Sequence, residues 1–368
     1  KNKEYTWEGS FIIDEEGLYL DVVSGGELYT AYKANFPMKK ILFHGNNKTI
    51  DEIKMGVDLC VGVFVVDNFY ELDILESLCE EKNMIQDIYF RVTPGIDAHT
   101  HKYIKTGQID SKFGFALTNG DFYMAVERLK KYKNVKLIGI HAHIGSQIFD
   151  VEPYEEEVDV MFNLVKKLKE DYDIEIKEVD FGGGIGVYYT ESDKPKSIKE
   201  FCEGIINKCN EKCKEINIDM PTLILEPGRS LVANAGSTLY SIGSIKKIKD
   251  VRTYVSVDGG MTDNIRPSLY QAGYECAIVN KMNSEKSSHK VTIAGKCCES
   301  GDILISNTSI LDIESKDILI TTSTGAYGYS MASNYNKIPK NPVVFVNKGN
   351  DKLICKRQSY EELLYLEL

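Results

Sequence analysis

No apolar run in the 368-residue sequence approaches the roughly 20 residues a membrane span requires, and Lys1 to Ser10 lack the apolar stretch of a signal peptide. The expectation is a soluble, cytoplasmic protein with no membrane partner. Positive charge is also scarce: 44 Lys and Arg against 55 Asp and Glu leave a net charge of -11 and a pI near 5.2. Nucleic acids and anionic membranes need a positive field, so neither is expected as a partner. A small anionic ligand would have to be met by local cations. Repeats, low-complexity tracts and flexible linkers are absent too. Cysteine is present but sparse, nine residues spread over the whole chain, an odd number that favours reduced thiols over a disulfide framework. Cys202, Cys209 and Cys213 fall on one stripe of a helix, where buried packing is a plainer reading than metal binding.

What is there is an ordinary globular composition, 43% hydrophobic, long enough for two domains. Up to about residue 230, short β-rich runs alternate with longer amphipathic stretches, the pattern of β-α units around a parallel sheet. The strands are Leu18 to Ser24, Lys40 to Gly45, Gly62 to Asn68, Asp87 to Pro94, Lys136 to Ile144, Glu175 to Gly184 and Thr222 to Arg229. The intervening helices are Asn46 to Cys60, Phe69 to Asn83, Asp121 to Lys133, Val151 to Asp173 and Ser197 to Ile216. Beyond residue 240 the rhythm changes to short runs between turns: Thr253 to Val257, Lys290 to Ala294, Asp317 to Thr322 and Pro342 to Val346. A mostly antiparallel β domain follows from this, with a short helix from Tyr360 to Leu368. The fold expected is an α/β (β/α)8 TIM barrel over residues 11–235, its first strand missing, and a C-terminal antiparallel β-barrel or sandwich over 236–368, to which residues 1–10 could belong.

Barrel enzymes carry their chemistry at the carboxyl ends of the strands. Here the strands end in Ser24 to Glu27, His44 to Asn47, Asp67-Asn68, Arg91 with Pro94-Gly95, His143 to Ser146, Gly182 to Gly184 and Glu226 to Arg229. Any one ending reads better as a helix cap. Seven together point to a site. The Gly182-Gly183-Gly184 turn exposes backbone N–H groups to a phosphate, and Gly228, Arg229 and Ser146 add donors suited to a phosphate monoester. A dinucleotide loop would come earlier and carry a fuller glycine fingerprint. Glu226 beside Arg229 reads either as an internal ion pair or as a carboxylate facing a pyridinium nitrogen. His141-x-His143 and His99-x-His101 raise metal binding, but no third ligand is evident, and no metal is expected.

Together these segments resemble the family of pyridoxal-phosphate (PLP)-dependent decarboxylases built from a TIM barrel and a β domain, and within it the branch acting on meso-2,6-diaminopimelate. The carrying segments are Asp21-Val-Val-Ser-Gly-Gly-Glu-Leu28, Arg91-Val-Thr-Pro-Gly95, Thr106-Gly107 with Ser111-Lys-Phe-Gly114, His141-Ala-His-Ile-Gly-Ser-Gln147, Asp180-Phe-Gly-Gly-Gly184, Glu226-Pro-Gly-Arg229, Arg266-Pro-Ser-Leu-Tyr270 after Asp258, Cys298-Glu-Ser-Gly-Asp302, and Gly325-Ala-Tyr327 with Met331 to Asn336. The resemblance implies that His143 stacks on the PLP ring, that Ser146, Gly183, Gly184 and Gly228 hold its phosphate, and that Glu226 faces its ring nitrogen. It assigns Arg229, Arg266, Tyr270 and Glu299 to substrate recognition, Tyr327 to phosphate and substrate, and proton donation to Cys298. Two arginines suit a dicarboxylic amino acid, and Glu299 suits its distal ammonium. The implied reaction releases carbon dioxide and leaves L-lysine. It also implies a homodimer with Cys298 supplied across the subunit interface.

One element of the pattern is missing. Such enzymes hold PLP as a Schiff base with a lysine, which the resemblance places just upstream of Ile12 to Gly17, where no residue can be identified with it. Lys1 and Lys3 read as solvent-facing. Seven strands also fall one short of a closed barrel. The expectation is that an eighth strand carrying the lysine belongs before Phe11 and is absent from this chain, leaving a join between about Gly9 and Phe11. Alternatives are a decarboxylase of ornithine, arginine or carboxynorspermidine, a non-catalytic homologue, and, least supported, an NAD-dependent dehydrogenase.

Overall fold

The strands of the first half are almost wholly apolar. Every side chain of Val63–Val66 and of Ile41–Phe43 is buried, as befits parallel strands covered on both faces. The computed structural model describes residues 13–96, 111–281, 288–311 and 313–367. Lys1, Lys3, the strand expected before Phe11, His99, His101 and Thr106-Gly107 lie outside the described residues. The described chain divides into two compact units, one running to Ile185 and resuming over Lys196–Pro227, the other formed by Gly186–Pro195 and the chain from Gly228.

In the first unit the strands are β1 (Leu20–Val22), β2 (Ile41–Phe43), β3 (Val63–Val66), β4 (Gln86–Thr93), β5 (Phe115–Ala116), β6 (Val135–His141), β7 (Glu178–Asp180) and β8 (Thr222–Ile224). The order is β1-β2-β3-β4-β6-β7-β8, all parallel, with β5 alongside β4. All seven expected strands are in that path; two-residue β5 is an addition. Among the described residues β8 and β1 are not paired, so the sheet is a barrel left open between them.

Helices α1 (Gly25–Lys33), α2 (Ile50–Asp58), α3 (Phe69–Glu81), α4 (Asp121–Leu129), α5 (Glu152–Tyr172) and α6 (Ile198–Ile216) form the connections. Five were expected; α1 was not. Its start shows why strand endings are ambiguous: Ser24 caps α1 and Asn68 caps α3, each side chain accepting from the N–H three residues on. Thr49 and Glu52 make a capping box on α2, and Glu52 Oε1 also accepts from Gly25 N at 2.7 Å, tying the starts of α1 and α2 together. Leu28, Ile53, Leu72, Phe122, Phe162 and Phe201, one from each helix, are completely buried against the sheet. Cys209 and Cys213 are buried on α6 as the stripe implied, and all nine thiols are free.

The second unit contains α7 (Gly228–Val232), β9 (Thr238–Ile248), β10 (Arg252–Val257), α8 (Arg266–Tyr270), β11 (Cys276–Ile278), β12 (Ser288–Ala294), β13 (Ile303–Leu311), β14 (Ile318–Thr321), and the hairpin β15 (Val343–Asn347) and β16 (Asn350–Cys355). The six-stranded sheet runs β11-β14-β9-β10-β12-β13, antiparallel except where β10 meets β12. Val255, Ile293 and Leu319 are fully buried at its centre, with Val187 and Tyr189 of the Gly186–Pro195 segment in the same core. The helix expected over Tyr360 to Leu368 is a single 3-10 turn, Glu362–Leu364. Tyr360, Leu364, Tyr365 and Leu366 are all exposed there, so no apolar stripe is covered to extend it.

Candidate active site

The carboxyl ends of the first unit's strands bring ionisable side chains together, with His44, His141 and Asp180 buried, Glu226 partly buried and Asp21 exposed. His44, just past β2, and His141, the last residue of β6, each place Nε2 3.2 Å from Glu226 Oε1, just past β8. Their rings meet edge to face at 5.0 Å. His44 Nε2 also lies 3.6 Å from Asp21 Oδ1 on β1. Asp180, at the end of β7, accepts from Gly182 N at 2.8 Å. Arg91, on β4, stands 3.9 Å from Asp67 and stacks 4.1 Å over the Phe113 ring, and Asp67 accepts from Gly114 N.

Burial works against a charge on Glu226, yet the histidines around it, His44 first, outweigh burial and hold its pKa well below the ordinary carboxylate value. Asp180 and Asp21 go the other way, raised by burial first and then by the Glu226 charge. Burial likewise opposes protonation of His44, but Glu226 and Asp21 outweigh it and its pKa rises. Burial pushes His141 down to about 3, against the attraction of Glu226. Electrostatically, Glu226 is favoured as the carboxylate, Asp180 and Asp21 are pushed towards their protonated forms, and His141 towards the neutral imidazole. His44, His141 and Glu226 present ligand atoms within 4.8 Å of one another, close enough for one cation. His141 belongs to this donor set without His143, because two other strands supply its partners, which the spacing of the His141-x-His143 pair does not show.

The turn after β7 is built from close backbone approaches. A Cβ on Gly183 would stand 2.1 Å from Glu226 O, and one on Gly184 2.2 Å from Gly145 O, so side chains there are excluded. Gly182 O accepts from Glu226 N at 2.8 Å, and Gly184 O from Ile148 N at 2.9 Å, which packs the Ser146 turn against the glycines. Gly183 N donates to His143 Nδ1 at 3.1 Å, which leaves the ring proton of a neutral imidazole on Nε2. Burial sets that neutrality, pushing His143 down to about 4 with help from Arg91 and His44. His143, Ser146, Gly183, Gly184 and Glu226 are therefore brought together. PLP fits them. Glu226 Oε1 is a buried acceptor whose nearby imidazoles lack hydrogen-bond geometry, and His143 offers a neutral ring.

The second unit gathers the remaining residues into two groups. Gly228 opens α7, and a Cβ there would meet nothing within 4 Å, leaving room for a ligand oxygen. Arg229 Nη1 donates to Tyr189 Oη at 2.7 Å, and the guanidinium stacks 4.7 Å over Tyr327. Tyr327 takes φ +57°, unusual for an aromatic residue. Arg266, at the start of α8, stacks 4.7 Å over Tyr189 and donates to Tyr274 Oη. Both arginines are buried, at 8% and 6% exposure, with tyrosine partners. Tyr270 closes the same helix. Glu299 and Cys298 form the second group and are exposed. Asp302 fixes their turn, accepting from Met261 N and Cys297 N at 2.6 and 2.8 Å, while Asn336 accepts from Cys298 N at 2.8 Å. Ser268 of α8 donates to Gly301 O at 2.8 Å, joining this turn to the helix of Arg266 and Tyr270. Tyr189, Tyr274 and the His44 contact to Glu226 were not singled out by sequence. His44 stood among the polar strand endings; nothing in the Gly186–Pro195 stretch signalled Tyr189.

The model of the family described as "Pyridoxal-dependent decarboxylase, pyridoxal binding domain" matches residues 11–233. The matched residues take in the whole parallel sheet and the strand-end cluster around Glu226, His143 and the Gly182–Gly184 turn, and the class is that of the pyridoxal-dependent decarboxylases. Diaminopimelate decarboxylase of Bacillus subtilis (strain 168) is 49% identical over 357 residues, 97% of this chain and 81% of that protein. The Bacillus methanolicus enzyme of the same name is 51% identical over 94% of this chain and 80% of its own length. A crystal structure of diaminopimelate decarboxylase from M. jannaschii in complex with L-lysine superposes with a TM-score of 0.91 at 36% identity, covering 99% of this chain and 82% of that one. The chain belongs to the diaminopimelate decarboxylase family.

Proposed function

We propose that the protein decarboxylates meso-2,6-diaminopimelate to L-lysine and carbon dioxide with PLP as cofactor, in lysine biosynthesis. The observation that carries this is the ionised Glu226 with a buried, unsatisfied Oε1 at the strand ends, beside a neutral His143 and the Gly183-Gly184 turn. Glu226 would hold the ring nitrogen of PLP protonated, His143 would lie against the ring, and Ser146 with the N–H groups of Gly183, Gly184 and Gly228 would hold the phosphate. PLP, when bound, supplies an electron sink for the carbanion left as carbon dioxide departs.

The other roles are carried by the chain's own cations and acids. Arg229 and Arg266, held by tyrosines and buried, are matched to carboxylate, with Tyr327 against Arg229 and Tyr270 at the far end of the Arg266 helix. Glu299 would bind the distal ammonium, which favours this substrate over ornithine, arginine or carboxynorspermidine. The Cys298 thiol would donate the proton that replaces the lost carboxyl group. Cys298 and Glu299 are exposed in the single chain, as residues handed to a second copy would be, which supports a homodimer with shared sites. No described helix is long and apolar enough to cross a membrane, and nine free thiols suit a reducing, cytoplasmic setting. Loss of the distal preference tests the substrate assignment: Glu299→Ala should raise KM for meso-diaminopimelate by about 10-fold or more, the scale of a hydrogen bond to a charged group. An unchanged KM would overturn Glu299's role.

A further inference from the structure

Asp302 closes the segment that carries Cys298 and Glu299 and is the one buried residue in it, at 2% exposure. Cys298, Glu299, Ser300 and Gly301 are all exposed, so the turn between β12 and β13 has no apolar side chain to bury and is held by polar contacts. Each Asp302 carboxylate oxygen takes its own backbone donor: Oδ1 accepts from Met261 N at 2.6 Å and Oδ2 from Cys297 N at 2.8 Å. The backbone of the same residue closes the turn, its N–H donating to Glu299 O at 3.1 Å and its carbonyl accepting from Gly295 N at 2.9 Å. Lys296 N donates to Gly259 O at 3.0 Å, so the turn is fastened at two points to the loop that follows β10.

The surrounding sequence makes room for this carboxylate. A Cβ on Gly295 would stand 2.1 Å from Asp302 Oδ2 and one on Gly260 2.5 Å from it, so a methyl at either position would displace the carboxylate. Two separate N–H groups are a match for a carboxylate in particular, because hydrogen bonds to a charged acceptor are the stronger kind. Asparagine has one oxygen for the two donors and would turn its own N–H2 on the second.

We propose that Asp302 is a positioning residue: by holding the turn at Cys297 it sets the Cys298 thiol for proton delivery and Glu299 for the distal ammonium, whichever copy's site the turn completes. This rests on the reading of Cys298 as proton donor and Glu299 as ammonium partner. Steady-state kinetics on the PLP-loaded protein with meso-diaminopimelate would compare Asp302→Asn, Cys298→Ala and the double variant, with PLP absorbance and melting temperature recorded for each. Asp302→Asn should lower kcat and raise KM by about 10-fold each, the scale of one hydrogen bond to a charged group, with PLP absorbance unchanged. Added to Cys298→Ala, it should lower kcat by less than about twofold, because the thiol it positions is already gone, while KM still rises through Glu299. A purely structural loss would lower kcat by the same factor in both backgrounds. Gly295→Ala keeps the carboxylate but displaces it, should move kcat and KM in the same directions, and carries the test if Asp302→Asn does not fold. If Cys298→Ala leaves kcat unchanged, the reading of the thiol as proton donor fails and the inference fails with it. If Cys298→Ala lowers kcat but a folded Asp302→Asn or Gly295→Ala protein keeps kcat and KM within about twofold of wild type, or if the kcat losses of Asp302→Asn and Cys298→Ala multiply, the role of Asp302 is overturned.

Discussion

Glu157 is fully buried and Glu226 partly so, and their surroundings drive the two carboxyl groups to opposite states. Glu226 is ringed by His44, His141 and His143 and is held well below its ordinary pKa. Glu157, on α5, has both oxygens buried without a hydrogen-bond partner, and burial first, then the Glu226 charge, raises it well above 4.5. On the proposed function the first difference bears on catalysis. Glu226→Gln removes the negative charge a pyridinium needs and should lower kcat roughly 100- to 1,000-fold at saturating PLP, the scale of one preorganised electrostatic partner. Single-turnover rates would show it, and a kcat within twofold of wild type would contradict the role. The second difference is one of stability. With its folded pKa raised, Glu157 keeps a proton that the unfolded chain releases, so its contribution is complete below 4.5 and is lost as pH rises towards the folded value. Glu157→Gln should therefore melt like wild type at about pH 4 and higher by about 2 °C or more at about pH 8. Equal melting at both pH values would show that Glu157 ionises without cost.

The seven barrel strands were legible because each is a short β-rich run bounded by turn residues, and five helices because their apolar spacing was periodic. Helix α1 escaped because it opens with Gly25-Gly26, poor helix formers whose cost is offset only by the Ser24 cap and by Glu52 reaching across from α2. β5 escaped because two residues carry no period. In the site, the strand-end rule placed Glu226, His143 and the glycine turn, but which ends are caps and which are functional depends on contacts between strands. Lys48 illustrates the same limit. No pattern in the sequence marks it, yet it is buried beside Glu71 at 2.6 Å and donates to Gly45 O and Val65 O, pinning the β2–α2 connection to β3 and α3. Lys48→Met leaves Glu71 buried and uncompensated and should cost about 3–5 kcal/mol in chemical denaturation, whereas Lys48→Met with Glu71→Leu should recover most of it. A double variant as unstable as the single one would assign the loss to packing instead.

On the scale of the whole molecule, the proposed homodimer is open to a direct complementation test. Cys298→Ala and Glu226→Gln each disable one half of the proposed machinery. If every site draws Glu226 from one copy and Cys298 from the other, mixed dimers hold one intact site. Refolding an equal mixture should restore roughly a quarter of wild-type turnover, since about half the dimers are mixed and each keeps one of two sites. A mixture no more active than the separate variants would place both residues of each site on one chain.

The account as a whole stands most directly on the products. Purified protein loaded with PLP, its visible absorbance confirming the load, is incubated with meso-2,6-diaminopimelate, and L-lysine and carbon dioxide are measured together. Equal yields of the two, with ornithine and arginine untouched, are the predicted result. PLP-loaded protein that forms no lysine, or that turns over ornithine faster, would contradict the account.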